Sequence, residues 1–148
     1  MGSILNDADR AAICRRIGTV TSASTPRWGR MDATAMIAHL RLAALMALGD
    51  LPVACKHKRV FQVFPFKHLI LHAMPFPKSA PTAPELLPAD GAAFDQTRSE
   101  LVSLIERIGT GRREGNGPVH PLFGRLSFAE WGVATYKHTD HHLRQFGA

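Results

Sequence analysis

Three histidines stand within five residues near the C-terminal end of the chain: His138, His141 and His142. On a helix, His138 and His142 are i, i+4 and lie one above the other. Two imidazoles so placed can grip one divalent metal, and this is a common chelating spacing. His141 is three residues from His138 and competes for the inward position. The 138/142 pair is preferred because it continues a stripe made by Trp131 and Thr135, with Gln145 beyond it. Lys137, Asp140 and Arg144 fall on other sides and suit solvent. On spacing alone the pair reads equally well as core or surface histidines with ordinary hydrogen bonds.

A third ligand must come from elsewhere, and His39 is the candidate. It lies between the small residues Ala35 and Ala43 on one row of an otherwise apolar helix. A histidine there is costly unless its nitrogens find partners, although one ordinary hydrogen bond would satisfy it. If the two helices are neighbours, three neutral imidazoles converge. That donor set suits Zn²⁺, Ni²⁺ or another borderline divalent metal. It leaves a position open for water or substrate, the layout of a catalytic site and not of a structural one. Such an ion can acidify bound water or hold a substrate thiolate. Two further residues are candidates for catalytic roles. His120, in a loop before the last helix, can serve as acid, base or substrate contact, with loop-fixing as the plainer role. Gln145 can orient a ligand or substrate. His68 and His72 are also i, i+4, but they follow Pro65 in a segment of doubtful helicity and are set aside. His57 lies in a basic loop and reads as solvated.

The elements that must position these side chains are helical. Asn6 or Asp7 caps a first helix to about residue 17. Pro26-Arg27-Trp28-Gly29-Arg30 is a connector, with Trp28 plugging one end of the core. Asp32 caps a second helix over 33–48, apolar nearly all round and therefore well buried. Residues 59–74 supply core side chains, but Pro65 must kink or break any helix there. Four prolines within 75–84 predict an extended connection. Another helix spans about 91–108 and stops at Gly109-Thr110-Gly111. Residues 112–118 read as polar and Gly-rich, and His120-Pro121-Leu122-Phe123-Gly124 as a compact turn-rich loop. Ser127 and Glu130 then form a capping box for the last helix, which runs to about 146. Strand signals are almost absent, so the pattern predicts one all-α domain over 1–148, a helical bundle.

Composition narrows the functional classes. Apolar residues at 45% and charged ones at 20% are ordinary for a globular protein. The formal charge of +6 is spread over small basic groups with no interleaved aromatic motif, which argues against nucleic-acid binding. Cys14 and Cys55 are too few for a disulfide framework, and the N-terminal residues carry no leader pattern. The most apolar stretch, 60–77, is too short and too polar to span a bilayer. A cytoplasmic protein without a membrane segment is the expectation.

Several stretches carry a family likeness: Trp28-Gly29-Arg30-Met31 leading into Met36-Ile37-Ala38-His39-Leu40, then His120 to Gly124, Ser127 to Trp131, and Tyr136 to Gly147. Together they resemble the DinB/YfiT-like superfamily, and most closely a branch of it without an established reaction. The likeness covers nearly the whole chain and is most specific in the His-Thr-Asp-His-His-Leu-Arg-Gln-Phe run at 138–146. It implies a four-helix bundle with a long Pro-rich crossover, and a three-histidine metal site falling on His39, His138 and His142. The tandem His141-His142 departs from the commonest superfamily pattern, which leaves the choice between the two open. Superfamily activities include thiol-dependent transferases and isomerases acting with low-molecular-weight thiols, and metal-dependent hydrolases; homodimers are frequent. The expected function is a metal-dependent thiol S-transferase or hydrolase acting on a small molecule. The alternative is a stress-related binding protein that keeps the fold without catalysis.

Overall fold

The computed structural model describes residues 2–54, 66–74, 84–88, 93–111 and 114–148. Within them the chain is mostly helical: α1 (Asp7–Thr19), α2 (Ala33–Leu48), α3 (Phe66–His72), a 3-10 turn (Pro84–Leu86), α4 (Phe94–Thr110) and α5 (Phe128–Gln145). Local chemistry sets the ends. The Asn6 side chain accepts from the Asp9 amide, and that of Asp32 from the Ala35 amide. Gly49 closes α2 in the left-handed conformation, where a side chain would be strained. Ser127 and Glu130 form the predicted capping box on α5.

α1 and α2 each pack against both α4 and α5. Ile13, Ile17, Met36, Ile37, Leu101 and Leu143 are fully buried between them. Each such side chain contributes roughly 1.5–3 kcal/mol over an exposed one, several times any difference in helix propensity. Burial against neighbours therefore holds these helices. Among the described residues, no helix is long and apolar enough to cross a membrane.

The all-α expectation needs correction. β1 (Asn116–His120) and β2 (Gly124–Ser127) form an antiparallel hairpin with an irregularity between Asn116 and Val119. The sequence conceals it because β1 contains Gly117 and Pro118 and does not alternate. Packing on α5 creates it instead. The Trp131 indole N–H donates to the Pro118 carbonyl at 2.9 Å, and a Cβ on Gly117 would stand 2.5 Å from the Trp131 ring.

Other expectations shift as well. Lys137 and Asp140 do not face open solvent. Lys137 donates to the carbonyls of Ile70 and Leu71 at the end of α3. Asp140 is ion-paired with Arg16 of α1 at 2.6 Å and with Arg144 at 2.9 Å. The segment expected over 59–74 is helical at 66–72. Its earlier part, the Pro-rich crossover at 75–83, Cys55, His57 and the start of the helix placed at 91 lie outside the described residues. Gly109, expected to stop a helix, lies inside α4, where it admits the Arg10 side chain; an added Cβ would be 2.3 Å from Arg10 Cδ. The buried Arg10 guanidinium donates to Glu106, Asp7 and the Ile4 carbonyl, tying α1, α4 and the N-terminal segment together.

Gly109→Ala should therefore destabilise the protein by about 2 kcal/mol, although alanine is the better helix former. The added methyl displaces Arg10 from its three partners. In a double-mutant cycle by urea unfolding, Gly109→Ala should have little further effect once Arg10→Ala is present; additive losses would show that the two do not act together.

Candidate metal centre

His39 sits in the middle of α2, 3% exposed. His138 and His142 lie one turn apart on α5, partly buried. Because α2 packs on α5, residues far apart in sequence meet. One ring nitrogen from each of the three histidines lies within 4.8 Å of the other two. His39 Nε2 and His138 Nε2 are 3.0 Å apart. The ring centroids stand 4.9–5.0 Å from one another at steep interplanar angles, so the rings meet edge to face and do not stack.

Outer hydrogen bonds fix which nitrogens face inward. His39 Nδ1 lies 2.9 Å from the Leu86 carbonyl oxygen in the 3-10 turn. A carbonyl only accepts, so Nδ1 carries the proton and Nε2 presents a lone pair. His142 Nδ1 lies 2.9 Å from Gln145 Oε1, and Gln145 Nε2 donates to the Trp28 carbonyl at 2.7 Å. The second bond orients the amide, so Oε1 must accept from His142 Nδ1–H and His142 Nε2 is also left as a donor atom for an ion. Gly29 permits this arrangement: it has a positive φ of 84°, and a Cβ there would be 2.7 Å from Gln145 Nε2. Ligand imidazoles tied on their far nitrogen are the usual construction of a metal site.

The donor set fits a borderline divalent ion. Zinc–nitrogen bonds of about 2.0–2.1 Å at a tetrahedral angle put ligand nitrogens about 3.3 Å apart; the His39 and His138 Nε2 atoms are 3.0 Å apart, and the whole trio lies within 4.8 Å. Protonation is disfavoured at all three. Burial, then the nearby His39 and His142 rings, push His138 well below the ordinary histidine range. Burial and then His39 bring His142 down to about 4. Burial lowers His39, opposed by its bond to the Leu86 carbonyl. At neutral pH the rings are neutral and able to ligate.

The structure places the remaining expected residues as follows. His141 is not in the trio, which contains His142 instead; it stands edge-on to Trp28 at 6.0 Å. Gln145 is 6% exposed and bonded to His142, so it orients that ring and does not stand at an open position. His120 lies on the hairpin, against Phe123 and Trp131 and close enough to lower the His138 pKa. Its Nδ1 accepts from the amides of Leu122 and Phe123 at 3.1 and 3.3 Å, which sets its proton on Nε2. Trp28 is half-buried beside the centre. Sequence reading missed the carbonyls of Leu86 and Trp28, since a backbone oxygen carries no residue signal. Gly29 next to Trp28 was the only local hint of a close approach.

No protein-family model, curated protein or solved structure matches the chain. The reading of this centre therefore rests on its own geometry.

Gln145→Leu should weaken Zn²⁺ binding roughly 10–100-fold without unfolding the protein, and Gly29→Ala should act in the same direction. Competition with a chromogenic chelator measures both; unchanged affinity in Gln145→Leu would show that His142 needs no orienting partner. In chelator-treated protein, pH adds a second test. The unfolded chain's histidines protonate below about 6.5, whereas folded His142 stays neutral to about 4. The unfolded state then binds more protons, so stability falls as pH drops through that window, by on the order of 3 kcal/mol for His142 alone. His142→Asn should flatten part of that slope in urea unfolding followed at several pH values.

Proposed function

We propose that this chain is a DinB/YfiT-like four-helix bundle whose His39, His138 and His142 hold one catalytic Zn²⁺ or Ni²⁺, and that it acts as a thiol S-transferase or a related hydrolase on a small molecule. The observation that carries this reading is the convergence of three neutral imidazoles with the far nitrogens of His39 and His142 tied by outer partners. The bundle reading is supported by the contacts of α1 and α2 with both α4 and α5, and by the family likeness of the stretches around His39 and His138.

A divalent ion so held supplies Lewis acidity, which makes a thiol or a water nucleophilic near neutral pH. The protein's own residues do the rest. His39 and His142 keep their Nε2 atoms inward through the Leu86 carbonyl and Gln145. Three neutral ligands cancel none of the ion's charge, and the cluster contains no carboxylate among the described residues. An anionic fourth ligand such as a thiolate is then favoured over a neutral one. His120, with its proton on Nε2, is suited to donate a hydrogen bond to substrate and not to accept a proton there. A low-molecular-weight thiol is the proposed co-substrate.

Elemental analysis of the purified protein should find about one equivalent of Zn or Ni, and His138→Ala should lose it. Thiol consumption against a panel of small electrophiles should fall with the metal and return on its restoration. Metal-free protein whose content does not change in His138→Ala would remove this reading. Full metal occupancy without turnover would instead favour a binding protein.

A further inference from the structure

His68 and His72 lie outside the centre just described. Residues Phe66–His72 are helical, so the two side chains rise from one face of α3, one turn apart. Their ring centroids are 4.3 Å apart with planes inclined by 37°. His68 is exposed and His72 partly so. The surrounding charges are already engaged. Lys67 pairs with Glu130 at 2.8 Å and donates to the Arg125 carbonyl, while Lys137 donates to carbonyls at the end of α3. These contacts fasten α3 to α5 and the hairpin; His68 stays exposed, and His72 is partly buried near Glu130 and Lys137.

We propose that His68 and His72 form a second, weaker site for a borderline divalent transition metal such as Zn²⁺. The two imidazoles supply two ligands and solvent completes the coordination. No third protein donor joins them among the described residues, which makes the site weaker than the three-histidine centre. The ion would bridge one turn of a seven-residue helix. Helices this short are marginal on their own, so the bridge stabilises α3. The site is independent of the reaction proposed above.

Equilibrium dialysis with Zn²⁺ alone tests it. Wild-type protein should bind one equivalent more than His68→Ala/His72→Ala, and that equivalent should be at least about tenfold weaker than the other. Each single substitution should remove it as fully as the pair does, because a chelate fails when either ligand goes. In His39→Ala/His138→Ala, circular dichroism having shown a folded protein, one weak equivalent should persist, and Zn²⁺ should slow amide exchange at residues 69–73. Equal stoichiometry in wild type and His68→Ala/His72→Ala overturns the proposal. So do single substitutions that each remove only half of the extra binding, since the histidines would then act separately. Loss of the tight equivalent alone would count against the three-histidine centre and leave this site standing.

Discussion

Two ring nitrogens, His39 Nε2 and His138 Nε2, face each other 3.0 Å apart across 99 residues of sequence. His39 spends its proton on the Leu86 carbonyl, so its inward nitrogen is a lone pair. What lies between the two nitrogens is either the Nε2–H of a neutral His138, donating to that lone pair, or an ion shared with His142. Neither choice exists unless α2 and α5 are in contact, the 84–86 turn is closed over His39, and the loop at Trp28 and Gly29 holds Gln145 against His142. The contact is thus a condition on the tertiary structure, and it sets what several unrelated segments must do.

Those segments are held by polar ties as well as by the apolar core. Arg10 binds α1, α4 and the N-terminal segment at a spot where Gly109 leaves room for it. That segment in turn docks on α5, with the Ile4 amide bonded to the Gly132 carbonyl and Leu5 standing where a Cβ on Gly132 would go. Arg16 and Asp140 join α1 to α5 midway in sequence between His138 and His142. Partly exposed ion pairs of this kind add little stability each. The face that α5 turns inward is the one that buries Trp131, Ala134, Thr135 and Leu143, and the ion pairs lie beside it.

That choice marks the boundary of what the chain discloses unaided. The helices at 33–48 and 128–145, their caps and the inward His138/His142 pair were legible, because helical spacing and capping boxes are local properties. His39 was legible as a costly polar group in an apolar helix. Its connection to the pair was conditional on the two helices being neighbours, a condition that the family likeness implied; the three rings do come together. The hairpin was not legible, because Gly117 and Pro118 give no strand signal and Trp131 recruits them from another element. Lys137 and Asp140 were misread for a similar reason. Charged residues opposite a functional stripe suit solvent only if nothing packs there, and α1 and α3 do.

The hairpin also changes what the centre can be. A site made by α2 and α5 alone would offer, beyond the three histidines, mainly apolar surface with the neutral polar side chains of Thr135, Thr139 and Gln145. The turn after β1 brings His120 near His138 and, by spending two backbone amides on its Nδ1, fixes the proton on the other nitrogen. A neutral donor beside three neutral ligands leaves the whole cluster without negative charge among the described residues. Any divalent ion held there keeps its full charge in poorly solvated surroundings, where electrostatic interactions are strong. Nothing among the described residues balances that charge, so an anionic ligand is favoured over a neutral one there.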